Sequence, residues 1–154
     1  LVWFQYFNPA TIRWPAMKKF ADQMSTLAPV VLQPAPAIYV TDNANTALNR
    51  VDTMIREKDG VVYVFAARVT EPDPIDGAKY TGVEPAFITV SFKISGLTGS
   101  ASAEVVDEGR VRTVTDGKFT DTFAKNAVHI YKIAGVTTAT LKAPAPRNLR
   151  ATKK

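Results

Sequence analysis

The chain has no cysteine and a single histidine among its 154 residues. Without cysteine it can form no disulfide scaffold, thiolate nucleophile or cysteine-ligated metal site. One histidine leaves few routes to acid–base or nucleophilic catalysis. No apolar run approaches the roughly 18 to 20 residues that cross a bilayer, so we expect no membrane partner. The first residues also lack the continuous apolar segment of a signal peptide.

The basic character of the chain, a net charge of +5, comes from one end. Five basic residues and no acid follow from Lys142 onward, which leaves 14 basic against 14 acidic residues before it. A nucleic-acid-binding protein carries its basic excess on a folded surface with aromatic residues interleaved. Because the excess here lies in a tail, the sequence predicts no nucleic-acid partner.

The segment WPAMKKFADQMSTLAP has the periodicity of an amphipathic helix. Pro15 suits the first turn, and Pro29 is expected to stop the helix shortly after Leu27. The following QPAPA, residues 33–37, predicts an extended connector. The apolar positions that recur at helical spacing are Met17, Phe20, Ala21, Met24, Leu27 and Ala28.

After the connector the pattern changes to strand-like alternation. VDTMIRE and VVYVFAARV flank KDG, which predicts a hairpin with Gly60 at positive φ, and Tyr63 and Phe65 are expected in the core. In AFITVSFKI the residues Phe87, Thr89, Ser91 and Lys93 alternate with apolar ones. With AEVVDE, RVRTVTDG and AVHIYKI, five to eight strands indicate a mainly-β fold. We expect an antiparallel β-sandwich, jelly-roll or immunoglobulin-like, with one N-terminal amphipathic helix.

These differences in sequence pattern divide the chain into three parts. Residues 1–33 hold an aromatic-rich segment and the helix, residues 34–141 form the β-sandwich domain, and residues 142–154 are a basic, proline-containing linker or tail. The chain begins at Leu1 instead of Met, so we expect a processed chain or a piece of a longer one.

The single histidine lies in FAKNAVHIYKI, where both faces of the predicted strand are largely apolar. His129 shares one face with Tyr131 and Ile133, which is typical of a central strand covered on both sides. No Asp, Glu, Cys or second His stands at ligand or triad spacing from it. We therefore interpret His129 as a hydrogen-bonded packing residue.

Acidic residues are concentrated in turns, where they are common for reasons of turn chemistry. No pair is placed across a cleft, as glycoside hydrolysis requires, so no catalytic residue is predicted. EPDPID could bring Glu71, Asp73 and Asp76 to one hard cation, although it lacks EF-hand spacing. Calcium is thus the candidate metal at these three residues, and no other cofactor is expected.

Exposed aromatic residues are candidates for carbohydrate binding, because sugar rings stack on aromatic rings. Tyr80 lies in the polar loop TEPDPIDGAKYTGVEP, away from any strand alternation, and is the leading candidate. Trp3 and Trp14 belong to the aromatic-rich N-terminus. Their alternative role is packing against the sheet domain or a missing neighbour.

Four segments, REKDGVVYVFAARV, ITVSFKISGL, AEVVDEGR and DGKFTDTFAKNAVHIYKI, resemble the C-terminal β-sandwich that follows the (β/α)8 barrel in many secreted glycoside hydrolases. The preceding AMKKFADQMSTLAPVVLQP is similar to the last barrel helix and its exit. PRNLRAT resembles the opening of a fibronectin type III domain. The closing "F-x-D-x-F…a-V-H-x-Y" segment of such sandwiches corresponds here to Phe119, Asp121, Phe123, Val128, His129 and Tyr131.

The resemblance implies the end of a barrel, an accessory sandwich and a linker into another module of a secreted bacterial protein. The family's catalytic acids lie on barrel strands that this sequence does not contain. The implied function is a non-catalytic, carbohydrate-associated module, whose partners are a polysaccharide and a neighbouring catalytic barrel. The alternatives are a structural or adhesion module that packs on protein, and an enzyme with its own cleft of convergent titratable groups.

Overall fold

A computed structural model of the chain describes residues 13–44, 50–69 and 85–134. These residues fall into two compact units that divide between Pro34 and Ala35. The first unit contains a helix and the second contains the strands. In chain order the elements are α1 (Arg13–Val31), β1 (Val40–Asp42), β2 (Arg50–Lys58), β3 (Val61–Val69), β4 (Phe87–Ile94), β5 (Ser100–Val105), β6 (Arg110–Thr115), β7 (Lys118–Ala124) and β8 (Val128–Ala134).

Helix α1 extends two residues beyond its predicted stop. Pro15 lies in the first turn as expected, but Pro29 lies inside the helix, so the prediction that it ends the helix is wrong. A proline in the last turn lacks one backbone N–H donor, but the residues after it still donate hydrogen bonds to carbonyls of the preceding turn. The N–H of Leu32, for example, donates to the carbonyl of Ala28 at 3.1 Å. No helix in the described residues has the length and apolarity to span a bilayer.

The eight strands form one antiparallel sheet in the order β1-β4-β7-β6-β5-β8-β3-β2. Its two end strands, β1 and β2, contact each other, so the sheet nearly closes on itself. Between β6 and β7 the only paired residues are Thr115 and Lys118, beside the turn, so these strands diverge. The predicted mainly-β antiparallel fold with one helix is confirmed. The predicted sandwich is not confirmed, because pairing connects all eight strands in one sheet.

Two Asp-Gly turns set the hairpins. Asp59 and Gly60 connect β2 to β3 with φ of 53° and 73°, which is the primed turn that matches strand twist. The predicted hairpin is confirmed. Gly117, between β6 and β7, has φ of 74° and an additional constraint. A Cβ at this position would lie 2.4 Å from the carbonyl oxygen of Ile94, so only glycine fits without a shift.

The core contains the inward-facing side chains of the strands. On β3 the buried apolar residues are Val62, Val64 and Ala66, so the prediction that Tyr63 and Phe65 form the core is wrong. These two aromatic residues lie half-buried on the opposite face. Because β3 is apolar on both faces, alternation separates two sets of residues without deciding which set faces inward. The largest fully buried side chains of this core are Tyr131, Phe92, Phe123, Ile94, Leu97 and Ile133.

Candidate functional site

Most of the predicted site residues lie outside the part of the chain that the structure describes. These are the predicted sugar-binding residues Tyr80 and Trp3 and the predicted calcium ligands Glu71, Asp73 and Asp76. Within the described residues, no group of three or more His, Asp or Glu side chains is placed to hold a metal ion.

Trp14 is the one predicted sugar-binding residue that the structure describes. It lies in the first turn of α1, and 56% of its surface is exposed. Phe20 and Met24 are also exposed along this helix, whereas Leu27 and Val30 are buried. An apolar groove of about 970 Å³ runs along the exposed residues. The N-terminal unit therefore presents an apolar surface with few polar groups to orient a sugar.

A different surface, the outward face of β4 and β7, combines an aromatic ring with polar side chains. Strand alternation turns Val90, Phe92 and Ile94 into the core and leaves the intervening residues outside. Phe87 begins the outward set and has 67% of its surface exposed. We call this surface the β4–β7 face; its cross-strand pairs are Phe87 with Ala124, Thr89 with Thr122, Ser91 with Thr120 and Lys93 with Lys118.

At its lysine end the β4–β7 face continues into an open groove of about 580 Å³. The groove spans β1, β4, β7 and β6, and it forms beside the point where β6 and β7 diverge. Asn43 is fixed there, because its Oδ1 accepts the N–H of Ser91 at 2.8 Å. The hydroxyl-bearing residues that line the groove are Thr41, Ser91, Thr113 and Thr120, and the charged ones are Asp42, Lys93 and Lys118.

A second exposed aromatic residue lies near this groove. Tyr39 precedes β1 by one residue and has 62% of its surface exposed. Its backbone N–H donates to Oγ of Ser95 at 2.9 Å, and the N–H of Ser95 donates to the carbonyl of Tyr39 at 2.9 Å. These bonds hold the backbone of Tyr39 beside the end of β4. Exposed rings thus lie near both ends of β4, with hydroxyl and ammonium groups between them.

The inner side of the sheet holds a buried polar network centred on Asp121. The side chain of Asp121 has no exposed surface. Both of its oxygens accept from Nη1 of Arg110 at 2.6 Å, and Oδ1 accepts from Nε of Arg112 at 2.9 Å. The hydroxyl of Tyr131 donates to Oδ2 at 2.8 Å, and the N–H of Thr122 donates to Oδ1 at 2.8 Å. A buried carboxylate is tolerated here because it is paired and fully hydrogen-bonded.

Burial and hydrogen bonding act in opposite directions on the pKa values of this network. Burial alone would raise the pKa of Asp121, but the hydrogen bonds from Arg110 and Arg112 outweigh it and hold that pKa below 3.8. Burial, together with the carboxylate of Asp121, raises the pKa of Tyr131 above its ordinary value. Burial would lower the pKa of Arg110, but its bonds to Asp121 and Glu108 raise it overall. The arrangement therefore keeps Asp121 ionised and Tyr131 neutral at physiological pH.

His129 joins this network through Glu108, which lies in the turn between β5 and β6. Its Nδ1 lies 2.5 Å from Oε1 of Glu108 and 3.1 Å from Nη2 of Arg110. Since an ionised carboxylate only accepts, the contact with Glu108 assigns the proton to Nδ1. In that tautomer the guanidinium of Arg110 is a neighbour of Nδ1 and not a hydrogen-bond donor to it. The fold therefore gives His129 an acidic partner, Glu108, which no ligand or triad spacing in the sequence indicated. Sequence spacing does not show this acid, because the β5–β6 turn brings it across the sheet.

A histidine oriented by a carboxylate resembles part of a catalytic relay. The other nitrogen, however, is enclosed: Nε2 is buried with no hydrogen-bond partner in the described chain. The imidazole ring lies 4.5 Å from the ring of Phe123, measured between centroids. A general base must reach the proton that it removes. The geometry of His129 therefore fits packing and orientation, as its position in β8 predicts, better than proton transfer.

Arg68 is a buried cation near the C-terminal end of β3. Its guanidinium donates to three backbone carbonyls: Pro85 at 2.7 Å, Phe123 at 3.1 Å and Ala86 at 3.3 Å. These bonds fix the backbone just before β4 against β7. Arg68 therefore holds in place the end of the β4–β7 face that carries Phe87.

The exposure of Phe87 was predictable from the sequence, although Phe87 was not among the predicted sugar-binding residues. Phe87 is in phase with Thr89, Ser91 and Lys93, so a polar face predicts that its ring is outside. The signal for the polar network was weaker: Asp121 has the same phase as Phe119 and Phe123 in β7, so it must face inward with them. Its partners Arg110 and Arg112 come from a strand whose pairing was not evident from the sequence.

Comparison of the chain with protein-family models, with curated proteins and with solved structures gave no significant match.

Proposed function

We propose that the chain is a non-catalytic β module that accompanies a polysaccharide-degrading enzyme and binds glycan on the β4–β7 face. The observation that carries the proposal is the run of hydroxyl pairs between the exposed ring of Phe87 and the lysine-lined groove. Hydroxyl and amide side chains both donate and accept, which matches the hydroxyls of a sugar. The face of an aromatic ring offers apolar surface to a sugar ring.

The length of this face favours a chain of sugars over a single one. Phe87 and Lys93 are six residues apart on one strand, which corresponds to about 20 Å at the rise of a β-strand. Binding along such a face needs no large rearrangement, because β4 and β7 are paired over their whole length. The expected ligand is therefore an extended oligosaccharide or polysaccharide.

The placement of carboxylates supports a non-catalytic role. Glycoside hydrolysis needs two carboxyl groups facing the substrate, roughly 5 to 9.5 Å apart. Among the residues that line the groove, Asp42 is the only acid, and its Oδ1 accepts the N–H of Ala44 at 2.9 Å. The buried carboxylate of Asp121 is held by two arginines. The companion barrel and the secreted location rest on the resemblance of the closing segment and belong to the same proposal.

A binding experiment with the whole chain tests this proposal. Wild type is screened by affinity electrophoresis and calorimetry against plant and microbial polysaccharides. Phe87→Ala should weaken binding by about 1 to 3 kcal/mol, the scale of aromatic stacking on nucleobases, taken by analogy. Phe87→Tyr should keep most of the affinity, because the ring is retained.

The matched control is Phe20→Ala, which removes an exposed phenylalanine from α1 instead. It should leave glycan affinity unchanged. If wild type binds none of the polysaccharides, or if Phe20→Ala weakens binding and Phe87→Ala does not, the β4–β7 face is not the glycan site.

A second candidate, a structural or adhesion module that packs on protein, is favoured by the exposed side of α1. Trp14, Phe20 and Met24 line one apolar groove, and contiguous apolar surface often marks a protein interface. If this surface packs on protein, the isolated chain should self-associate as its concentration rises. Phe20→Lys should then restore the monomer in sedimentation experiments. A wild-type chain that remains monomeric at high concentration weighs against this candidate.

A further inference from the structure

We infer that the groove at the lysine end of the β4–β7 face binds an anionic group of the glycan, a carboxylate or a sulfate on the sugar chain. This inference rests on the proposed function, because it takes the ligand to be a glycan on the same face. It adds the chemical class of the glycan, which the hydroxyl pairs alone do not define.

The first observation is the position of two lysines. Lys93 of β4 and Lys118 of β7 are direct partners in the antiparallel register, and both are exposed on the outward face. Side chains at such positions begin about 5 Å apart, and like charges placed directly opposite destabilise a sheet. The neighbouring cross-strand pair, Ser91 with Thr120, is uncharged. The two ammonium groups thus concentrate positive charge at one end of the face.

The second observation is that no acid in the described chain pairs with either lysine. Lys93 Nζ donates to the backbone carbonyl of Asp116, which carries no charge. Lys118 Nζ makes no hydrogen bond or ion pair with the residues that the structure describes. The acid that lines the groove and the acid of the adjoining turn accept backbone N–H groups instead: Oδ1 of Asp42 accepts that of Ala44 at 2.9 Å, and Oδ1 of Asp116 accepts that of Gly99 at 2.8 Å.

Other basic residues of the same unit are arranged differently. Arg50 pairs with Asp52, Arg110 with Glu108 and Asp121, and Lys132 lies 3.5 Å from Glu104. The lysine pair therefore differs from the common pattern on this sheet, in which a basic residue lies beside an acid.

The chemistry of the groove selects for an anion that is attached to a hydroxylated chain. A carboxylate or sulfate presents at least two oxygens, so it can accept from both ammonium groups at once. Thr41, Thr113 and Thr120 line the same groove and can bind the neighbouring hydroxyls of the sugar. Lysine acts as a compact charge, so it attracts carboxylate and sulfate alike.

The test uses the full chain and matched pairs of probes. The first pair is homogalacturonan in its free-acid form and in its fully methyl-esterified form, which share one sugar backbone. The second pair is dextran sulfate and dextran. The free-acid or the sulfated member should bind at least fivefold more tightly than its neutral partner at low salt, and raising the salt should remove the difference.

Variants then locate the charge effect. Lys118→Gln removes a charge that has no hydrogen bond or ion pair with a described residue, and it should weaken binding of the preferred acidic probe about fivefold, close to the upper range for an exposed ion pair. Lys118→Arg should retain the preference. Lys19→Gln, on α1, changes the net charge equally and should leave binding unchanged.

Each outcome decides between the two claims. Equal affinity for charged and neutral members, with Phe87→Ala still weakening both, overturns the anionic site and leaves glycan binding intact. Equal losses in Lys118→Gln and Lys19→Gln mean attraction by net charge alone and also overturn it. Inorganic sulfate that competes as well as the polymer would mean a free-anion site. If neither charged probe binds while the wild-type chain binds another polysaccharide on this face, the anionic site is overturned and glycan binding stands. If the wild-type chain binds no polysaccharide of the screen, the proposed function itself fails.

Discussion

Replacing Asp121 by asparagine should destabilise the sheet unit by about 3 kcal/mol. The side chain keeps its shape but loses its charge, and an amide group then faces the donors of Arg110 and Arg112. Breaking a buried ion pair from one side costs roughly 3 to 5 kcal/mol. The two arginine side chains are 26% and 38% exposed and regain some hydration, so the lower end applies. Against a typical total of 5 to 15 kcal/mol, this is a large fraction.

Urea unfolding followed by far-UV circular dichroism measures this effect. The two tryptophans, Trp3 and Trp14, precede the sheet unit, so their fluorescence is a poor reporter of it. The urea midpoint should fall by roughly 1 to 3 M. Asp52→Asn is the matched control: Asp52 pairs with Arg50 at 2.8 Å but is about half exposed, and its loss should cost less than about 1 kcal/mol.

Asp121 should also determine how the stability of the sheet unit falls at acidic pH. Since the folded-state pKa of Asp121 lies below its unfolded value, its stabilisation is present above about pH 4 and is lost as pH falls through the folded pKa. Asp121→Asn should therefore show a flatter loss of stability in acid than wild type does. A destabilisation no larger than that of Asp52→Asn, together with an unchanged acid slope, would refute the account of this network.

The remaining predictions use the same unfolding assay or a titration. His129→Ala should cost about 1 to 4 kcal/mol through lost contacts and the lost hydrogen bond to Glu108, yet leave glycan affinity unchanged below the melting temperature; lost affinity with an intact fold would contradict the packing role. Gly117→Ala should destabilise more than Gly60→Ala, because both have positive φ but only Gly117 would clash with backbone; equal costs would contradict this. Since the pKa of Tyr131 is raised, this residue should contribute stability below about pH 10 that is lost at higher pH. Its hydroxyl should ionise only when the chain unfolds in alkali, which an ultraviolet titration would show. Ionisation of all five tyrosines in the folded chain would contradict the burial of Tyr131.

Local sequence signals predicted those parts of the fold that depend on short-range rules. The Asp59–Gly60 turn, the alternation of β4 and the presence of α1 all follow from residue type and spacing. Two features did not follow. Pro29 fails as a stop because a helix can absorb one proline in its last turn. Tyr63 and Phe65 were placed in the core because β3 is apolar on both faces, and only its pairing with β8 decides between them.

The candidate site was harder to predict because it depends on strand order. The phase of Phe87 within β4 was evident from the sequence, but its neighbours Thr120 and Thr122 come from β7, more than 30 residues later. The partners of His129 are contributed by the β5–β6 turn and by β6. No spacing rule connects these segments, so the network and the lysine pair emerge only from the register of the sheet.

The measurement that tests the central claim most directly is an NMR titration of the isotope-labelled full chain with the polysaccharide fragment that it binds best. If the β4–β7 face is the glycan site, the largest backbone shifts should fall in residues 87–93 and 118–122, with intermolecular contacts between sugar protons and the ring of Phe87. The inward-facing network residues outside these ranges, Arg110, His129 and Tyr131, should keep their shifts. Shifts confined to α1 or to the segment around Tyr80, with none on β4 and β7, would contradict the account.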